Sequence, residues 1–137
     1  MQDQIPLTIH ETTSLGELIK ALKPHEFDTA VQYDFAYLAP TTLASYRGYY
    51  DHLALGWTED YRRAMPEATD YWPTVRDLVK RLEEGVGQFF DGWKGGGCQA
   101  SLTTPIWAAN PGHSGSTAIV GVDRVSGSVV IRTRCVE

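Results

Sequence analysis

The sequence has few of the residues that build metal sites or disulfide frameworks. Its 137 residues include two cysteines, Cys98 and Cys135, and four histidines that stand singly, without an HExxH or CxxC pattern. A structural zinc site needs a closely spaced set of such ligands, so we expect no metal and no cofactor. Residues 1–11 also lack the basic start and apolar stretch of a secretory signal. We therefore expect a cytoplasmic protein whose two cysteines are thiols.

Long apolar runs and an excess of positive charge are absent as well. No stretch approaches the roughly 18 apolar residues of a membrane span, and the formal net charge is −5. A protein that binds along a nucleic acid polymer needs a surplus of Lys and Arg on one face, so neither a membrane nor such a polymer is an expected partner. Any anionic ligand must be met by a few individually placed arginines.

Catalytic motifs are missing too. The run His113-Ser114-Gly115-Ser116 does not complete a GxSxG nucleophile elbow, because Ser116 stands where the last glycine is needed. A two-histidine phosphoesterase needs two His-x-Ser/Thr pairs, and only His10-Glu11-Thr12 fits. The glycine run after Lys94 is not followed by a helix that could receive a phosphate, and it fits either a tight turn or hairpin, or a backbone cradle for phosphate. We predict no catalytic residues.

The length and composition of the chain fit one domain. The apolar fraction of 42% and the charged fraction of 21% are ordinary for a globular protein. We expect a single ligand-binding domain over 1–137, in which 1–13 is a lead-in and 58–70 is a solvated insertion rich in charged residues.

The hydrophobic spacing predicts an α+β fold. Capping-box patterns begin helices at Ser14 and Thr74, and leucine and valine follow at helical spacing. A turn is expected at Ser126-Gly127. Period-two alternation predicts strands at 31–37, 53–57, 104–109, 117–123 and 128–134. We expect an antiparallel β-sheet with two packed α-helices.

The last predicted strand and the segment around Trp107 hold the first candidate ligand-binding residues. Arg132 and Arg134 share one face of the strand, which is either a solvated face or a phosphate-binding one, because a guanidinium group binds phosphate through two parallel hydrogen bonds. Trp107 and Asn110 end a strand and open a turn, and the segment 107–115 is either ordinary turn chemistry or part of a site.

Two further arginines are candidates. Arg47 lies between Tyr46 and Tyr49, where it either stacks on the tyrosines structurally or helps to hold a base. Arg76 lies near the start of the second helix and either pairs with Asp77 or solvent, or binds the ligand.

Five runs of sequence carry a family resemblance: Tyr33-Asp34-Phe35, Ser45-Tyr46-Arg47-Gly48-Tyr49-Tyr50-Asp51, Leu53-Ala54-Leu55, Gly92-Trp93-Lys94-Gly95-Gly96 and Thr104-Pro105-Ile106-Trp107-Ala108-Ala109-Asn110. Together they resemble a set of small phage proteins, the first-described Thoeris anti-defence family. The resemblance covers roughly residues 14–137. Proteins of that family bind cyclic ADP-ribose signals made by bacterial TIR-domain enzymes and leave them intact, so that the defence effector is not activated.

The resemblance implies a phage protein that sequesters a signal in the host cytoplasm without cleaving it. It implies a homo-oligomer, dimer or hexamer, with a pocket between two subunits built from arginine, asparagine and an aromatic ring. Some members form hexamers that also hold cyclic oligonucleotides, such as cyclic di- or trinucleotides, at separate sites. By residue type, Asn110 and Arg132 match the interface pocket, Arg76 is a further match, and Arg47 matches the separate site.

The chain departs from the family pattern at one place. After the glycine run, where the family has an aromatic residue, this chain has Cys98-Gln99-Ala100. Trp107 or Trp93 is then expected to supply the stacking surface. Two other functions stay open: an enzyme that degrades a cyclic nucleotide signal, and a phage protein that binds a host protein through its aromatic surface, since interfaces favour Tyr, Trp and Arg.

Overall fold

The fold combines a β-sheet with two helices in the part of the chain that the structure describes. This computed structural model describes residues 13–35, 38–46, 49–57, 73–91, 97–109 and 116–136. The helices are α1 (Leu15–Leu22) and α2 (Val75–Gly85). The strands are β1 (Val31–Tyr33), β2 (Thr42–Tyr46), β3 (Tyr49–Gly56), β4 (Phe89–Asp91), β5 (Gly97–Gln99), β6 (Ile106–Ala108), β7 (Ser116–Val125) and β8 (Ser128–Val136). The predicted α+β class is confirmed.

The main sheet is mixed, so the predicted antiparallel sheet is confirmed only in part. Its six strands lie in the order β1-β8-β7-β6-β3-β2, and β4 and β5 form a separate antiparallel pair. The β1–β8 and β3–β6 pairs are parallel. A parallel pair needs a long crossover connection, and α2 with the β4–β5 pair lies between β3 and β6 in the chain. The strands β1, β8, β6 and β3 therefore all run in one direction.

Both helices begin where the capping boxes predict. The Ser14 side chain accepts a hydrogen bond from the Glu17 backbone N–H, and the Glu17 carboxylate accepts one from the Ser14 N–H. That backbone hydrogen bond is the main reason why the pKa of Glu17 is lowered. Thr74 and Asp77 form the same arrangement at the start of α2. These local bonds satisfy N–H groups that a helix start leaves unpaired.

One hydrophobic core joins the helices to one face of the sheet, which we call the inner face. Both helices bury a stripe of leucine, isoleucine and valine, and alternate residues of the strands meet them. On the strands, the core residues include Val31, Leu53, Leu55, Ile106, Ile119, Val129 and Ile131. The opposite face of the sheet, which we call the outer face, carries the residues between them.

The first strand is shorter than predicted, because the chain turns back after Tyr33. The Tyr33 N–H donates to the carbonyl oxygen of Leu38 at 3.0 Å. The Asp34 N–H makes the last bond to β8, to the Ile131 carbonyl at 3.1 Å, and the Asp34 carboxylate accepts hydrogen bonds from the backbone N–H and the hydroxyl of Thr133, at 2.8 and 2.6 Å. A side chain that bonds to backbone in this way competes with strand pairing.

The turn at Ser126-Gly127 is confirmed between β7 and β8. Both residues have positive φ, 50° and 85°, as a two-residue hairpin turn of type I′ requires. The pairing of β7 with β8 shifts by one residue between Ile119 and Gly121. The glycine run lies between the paired strands β4 and β5, which supports the hairpin interpretation, although residues 92–96 lie outside the described residues.

The sheet is strongly curled, and Tyr33 ties its two ends. Tyr33 lies on β1, at one edge of the sheet, but its buried hydroxyl donates to the carbonyl oxygens of Leu55 and Gly56 on β3, at 2.7 and 3.1 Å. Burial raises the pKa of the Tyr33 phenol well above its ordinary value. The predicted lead-in is outside the described residues except for Thr13, and so is the predicted insertion 58–70.

Candidate ligand-binding surface

Two arginines stand together on the outer face of β8. Val129 and Ile131 are fully buried on the inner face, whereas Arg132 and Arg134 are exposed. Because side chains alternate between the faces of a strand, the two arginines point to the same side, about 7 Å apart at the backbone. The predicted sharing of one strand face by these residues is confirmed.

Arg132 is held in place by an ion pair. Its Nε donates to the Asp123 carboxylate on β7 at 2.8 Å, and both side chains are about half exposed, at 51% and 54%. An exposed pair of this kind contributes only about 0–1 kcal/mol to stability. Arginine carries further N–H donors on its two terminal nitrogens, so this contact orients the group without using all of its hydrogen-bonding capacity.

Trp107 lies on the same outer face but is buried. Its indole N–H donates to His52 Nδ1 at 3.0 Å, and the two rings are nearly parallel. At the same register, Trp107 is flanked by Ala54 on β3 and Ala118 on β7, and Ala118 in turn pairs with Arg134. The small neighbours leave room for the indole. With only 2% of its surface exposed, Trp107 has little area to offer a ligand in this structure.

The bond to Trp107 fixes the tautomer of His52. A ring nitrogen that accepts a hydrogen bond carries no proton, so a neutral His52 has its proton on Nε2. His52 is itself 5% exposed. The His52–Trp107 pair therefore packs in the middle of the outer face. Trp107 lies in the same row of paired residues as Ala118 and Arg134.

Arg76 lies elsewhere. It is on α2, in the helical layer that covers the inner face, and its Nη2 binds the Asp28 carboxylate at 2.8 Å. Asp77, the partner considered from the sequence, instead caps α2. Arg76 lines a cleft of about 440 Å³ together with Lys23, Phe27 and Glu83. The structure therefore does not bring Arg76 together with Arg132 and Arg134 within one chain.

Three candidate residues lie outside the described residues: Asn110, Arg47 and Trp93. Asn110 directly follows Ala109, whose backbone N–H donates to the Leu55 carbonyl at 2.9 Å. Arg47 lies between β2 and β3 in the chain.

The sequence did not indicate the aromatic cluster at one end of the sheet. The rings of Tyr33, Phe35 and Trp57 meet there with centroids 4.9 to 5.6 Å apart. The period-two alternation put Tyr33 and Phe35 on one face, but it did not indicate that Trp57, from a distant strand, would join them. The contact exists because the sheet curls.

No protein-family model, curated protein or solved structure matches this chain.

Two further properties of the described residues concern metal sites and membrane-spanning helices. They contain no group of three or more His, Cys, Asp or Glu side chains placed to hold a metal ion. Neither α1 nor α2 has the length or the apolar run that crossing a membrane takes, and no other helix of the described part does.

Proposed function

We propose that this protein binds a cyclic ADP-ribose-type signal and holds it intact, as a phage anti-defence protein in the host cytoplasm. The observation that carries the proposal is the pair of exposed arginines on the outer face of β8. Arg132 and Arg134 are adjacent on that face, and guanidinium groups bind phosphate oxygens with charge-assisted hydrogen bonds. This supports a ligand with neighbouring phosphates, as the family resemblance implies.

A chain with a net charge of −5 is better suited to binding a small anionic ligand than to binding a long polyanion such as a nucleic acid. A ligand with two phosphates gains little from counterion release, so directed hydrogen bonds and stacking must supply most of its affinity. Two placed arginines on a rigid strand fit that requirement. Cyclic di- or trinucleotides are further candidates because they combine phosphates with bases in the same way.

The positions of the candidate residues favour a homo-oligomer, dimer or hexamer. Arg132 and Arg134 lie on the outer face, whereas Arg76 and the rings of Phe35 and Trp57 lie with the helices and the inner face. A second copy of this ligand-binding domain would let one pocket combine the β8 arginines with Arg76 or with an aromatic ring, as the family resemblance implies.

Sequestration demands binding without a reacting group near the ligand, because a nucleophile or general base at the glycosidic or pyrophosphate bond would promote its cleavage. Among the described residues of the outer face, His52 is a side chain of the type that serves as a general base, but it is buried and accepts the Trp107 hydrogen bond. Nothing in this arrangement presents His52 to a ligand at Arg132. We therefore favour storage of the signal over its conversion.

The test is capture and release. The purified protein is incubated with cyclic ADP-ribose, freed of unbound ligand and heated, and the supernatant is analysed chromatographically. Release of intact ligand supports sequestration. A converted product would support an enzyme instead, and absence of uptake would favour a protein that binds a host protein through its aromatic surface.

A matched pair of variants tests the arginines. Arg132→Ala removes an arginine that is 51% exposed and paired with Asp123, and Arg124→Ala removes one of equal exposure that pairs with Glu26. We expect capture to weaken for Arg132→Ala and to persist for Arg124→Ala. Equal loss in both would mean that charge alone, rather than the position on β8, governs binding.

A further inference from the structure

A groove runs along the solvent side of the two helices. Arg76, in the first turn of α2, donates its backbone N–H to the carbonyl of Phe27, just beyond the end of α1. At the other end, Gly16 in the first turn of α1 lines a cleft together with Val86, which follows α2. The helices are therefore antiparallel. Because α2 has 11 residues, the groove beside it is about 16 Å long, or about three helical turns.

Three adjoining clefts make up this groove, with volumes of about 440, 510 and 520 Å³. The first and second share Lys23 and Glu83 as lining residues, and the second and third share Val86 and Leu102. A residue that lines two clefts lies between them, so the clefts follow one another along the helices. We call the three together the helical groove.

The helical groove has an apolar floor and exposed apolar side chains at its rim. Ile19 and Val79 are nearly buried on the floor, whereas Phe27, Val86 and Leu102 are 41%, 38% and 55% exposed. Single exposed apolar residues are ordinary on a protein surface, but a contiguous set with a polar rim is typical of an interaction site. The recess between two helices fits the side chains of a third helix better than it fits the flat surface of a membrane.

The charge of the helical groove is opposite in sign to that of the chain. Four basic and two acidic side chains line it: Lys20, Lys23, Arg76, Lys80, Glu83 and Glu84. The chain as a whole has a net charge of −5, so positive charge is concentrated at this place. An acidic segment is attracted to such a surface, and a basic segment is repelled by it.

The ion pairs within the helical groove leave its cations available to a partner. Lys23 binds Glu83 from α1 to α2, and Arg76 binds Asp28, with side chains that are about half exposed or more. Exposed pairs contribute little to stability, so a carboxylate of a partner can replace either acidic residue at small cost. The Lys23–Glu83 pair lies where the first two clefts meet, and its exchange joins them.

We propose that the helical groove binds an amphipathic helix of a partner protein, about three turns long, with an apolar stripe flanked by acidic residues. The stripe packs on the apolar floor and on Leu102, so that the bound segment becomes a third helix beside α1 and α2. The flanking carboxylates face Lys20 and Lys80. This site is separate from the β8 arginines, and the inference does not depend on the signal proposed to bind there.

The probe is a synthetic peptide of about 18 residues, long enough to form a helix, with leucines at i, i+3, i+4 and i+7 and glutamates between them. One control peptide has lysines in place of the glutamates, and a second has the same composition with the leucines out of helical spacing. Each is titrated into the full chain at low salt and followed by the amide NMR signals. We expect the first peptide to bind with a Kd of about 10 μM to 1 mM, as a small, weak interface does, and to shift the amides of Ile19, Val79 and Leu102.

Two matched pairs of variants locate the binding surface. Leu102→Ser removes an exposed apolar side chain from the rim, and Val125→Ser removes one of similar exposure, 46%, from β7. Lys20→Ala removes a positive charge from the helical groove, and Arg124→Ala removes one from β7. We expect Leu102→Ser to weaken binding of the glutamate peptide about 5-fold and Lys20→Ala about 2- to 5-fold. The two β7 variants should bind it like the parent.

Three results would overturn the proposal. The first is equal binding of the glutamate peptide and either control peptide, since the groove would then select neither acidic charge nor an apolar stripe. The second is the absence of shifts at the groove amides of the parent at millimolar peptide. The third is binding to anionic phospholipid vesicles without binding to the peptide, which would assign the surface to a membrane. Cyclic ADP-ribose is absent throughout, so the outcome is independent of the capture test.

Discussion

Removal of the Tyr33 hydroxyl tests how the curled sheet is held together. Tyr33→Phe keeps the ring contacts with Phe35 and Trp57 but deletes both hydrogen bonds to β3. The two carbonyl oxygens are not left unpaired, because Leu55 O still accepts from Ala109 N–H and Gly56 O still accepts from Thr41 N–H. The cost is therefore that of a hydrogen bond, about 0.5–1.5 kcal/mol, rather than the larger cost of an unsatisfied buried group.

Urea denaturation monitored by circular dichroism measures this cost. In thermal unfolding, each kcal/mol of lost stability should lower Tm by roughly 3–5 °C for a chain of this length. The control is Thr103→Val, which deletes an exposed hydroxyl that bonds to Ser101 on the same turn and should change stability by less than about 0.5 kcal/mol. If Tyr33→Phe were as stable as this control, the hydroxyl would not be what ties β1 to β3.

The same residue sets a dependence on high pH. The pKa of Tyr33 is raised in the folded state because burial desolvates the phenolate. A raised pKa contributes stability that is complete below the unfolded value, about 10, and that is lost as the pH rises through the folded value. The parent should therefore lose more stability above about pH 10 than Tyr33→Phe. Parallel pH profiles in the two proteins would refute the burial argument.

Other changes test separate features of the fold and surface. Leu78→Ala empties part of the buried face of α2 and should cost about 2–5 kcal/mol in urea denaturation, whereas Arg132→Ala should cost less than about 1 kcal/mol while weakening capture; the reverse pattern would make Arg132 structural. Gly16→Ala should destabilise although alanine favours helices, since its Cβ would lie 2.8 Å from the Leu102 carbonyl oxygen; a rise in Tm would show that this contact relaxes. Glu17→Gln should make the free energy of unfolding depend less on pH in the acid range. The lowered pKa of Glu17 contributes stability above the unfolded pKa, and this stability is lost as the pH falls through the folded pKa. An unchanged pH profile would assign the acid sensitivity to other groups. Capture measured from low to physiological salt should weaken only modestly, and a loss of orders of magnitude would mean diffuse charge attraction.

Local signals made the helices and the last hairpin predictable. Capping at Ser14 and Thr74 involves residues three positions apart, and the turn at Ser126-Gly127 is set by two adjacent residues. The sheet order could not be predicted in the same way, because β1 finds its partner about 98 residues along the chain, at Val129. Alternation shows that a strand has a buried face but not which strand pairs with it.

The candidate site was predictable in part for the same reason. The alternation along β8 was enough to place Arg132 and Arg134 on one face. It could not show that Trp107 would be buried against His52, since that contact joins residues 55 positions apart across two strands. Nor could it separate Arg76 from the β8 arginines, because the choice of Asp28 as its partner depends on how α2 packs.

The parallel pairing of β1 with β8 has a consequence for how the chain folds. Val31 meets Val129, and Asp34 binds Thr133 from 99 positions away, so β1, the earliest of the described strands, pairs in the sheet with the last of them. Closing so long a loop is slow compared with forming α1 or the β7–β8 hairpin. The ladder between β1 and β8 should therefore form after the helices, whereas the contacts of Ala30 and Val31 with Thr74 and Pro73, at the start of α2, need no residue of β8. Refolding followed by hydrogen exchange should show amides of β1 protected after those of β7.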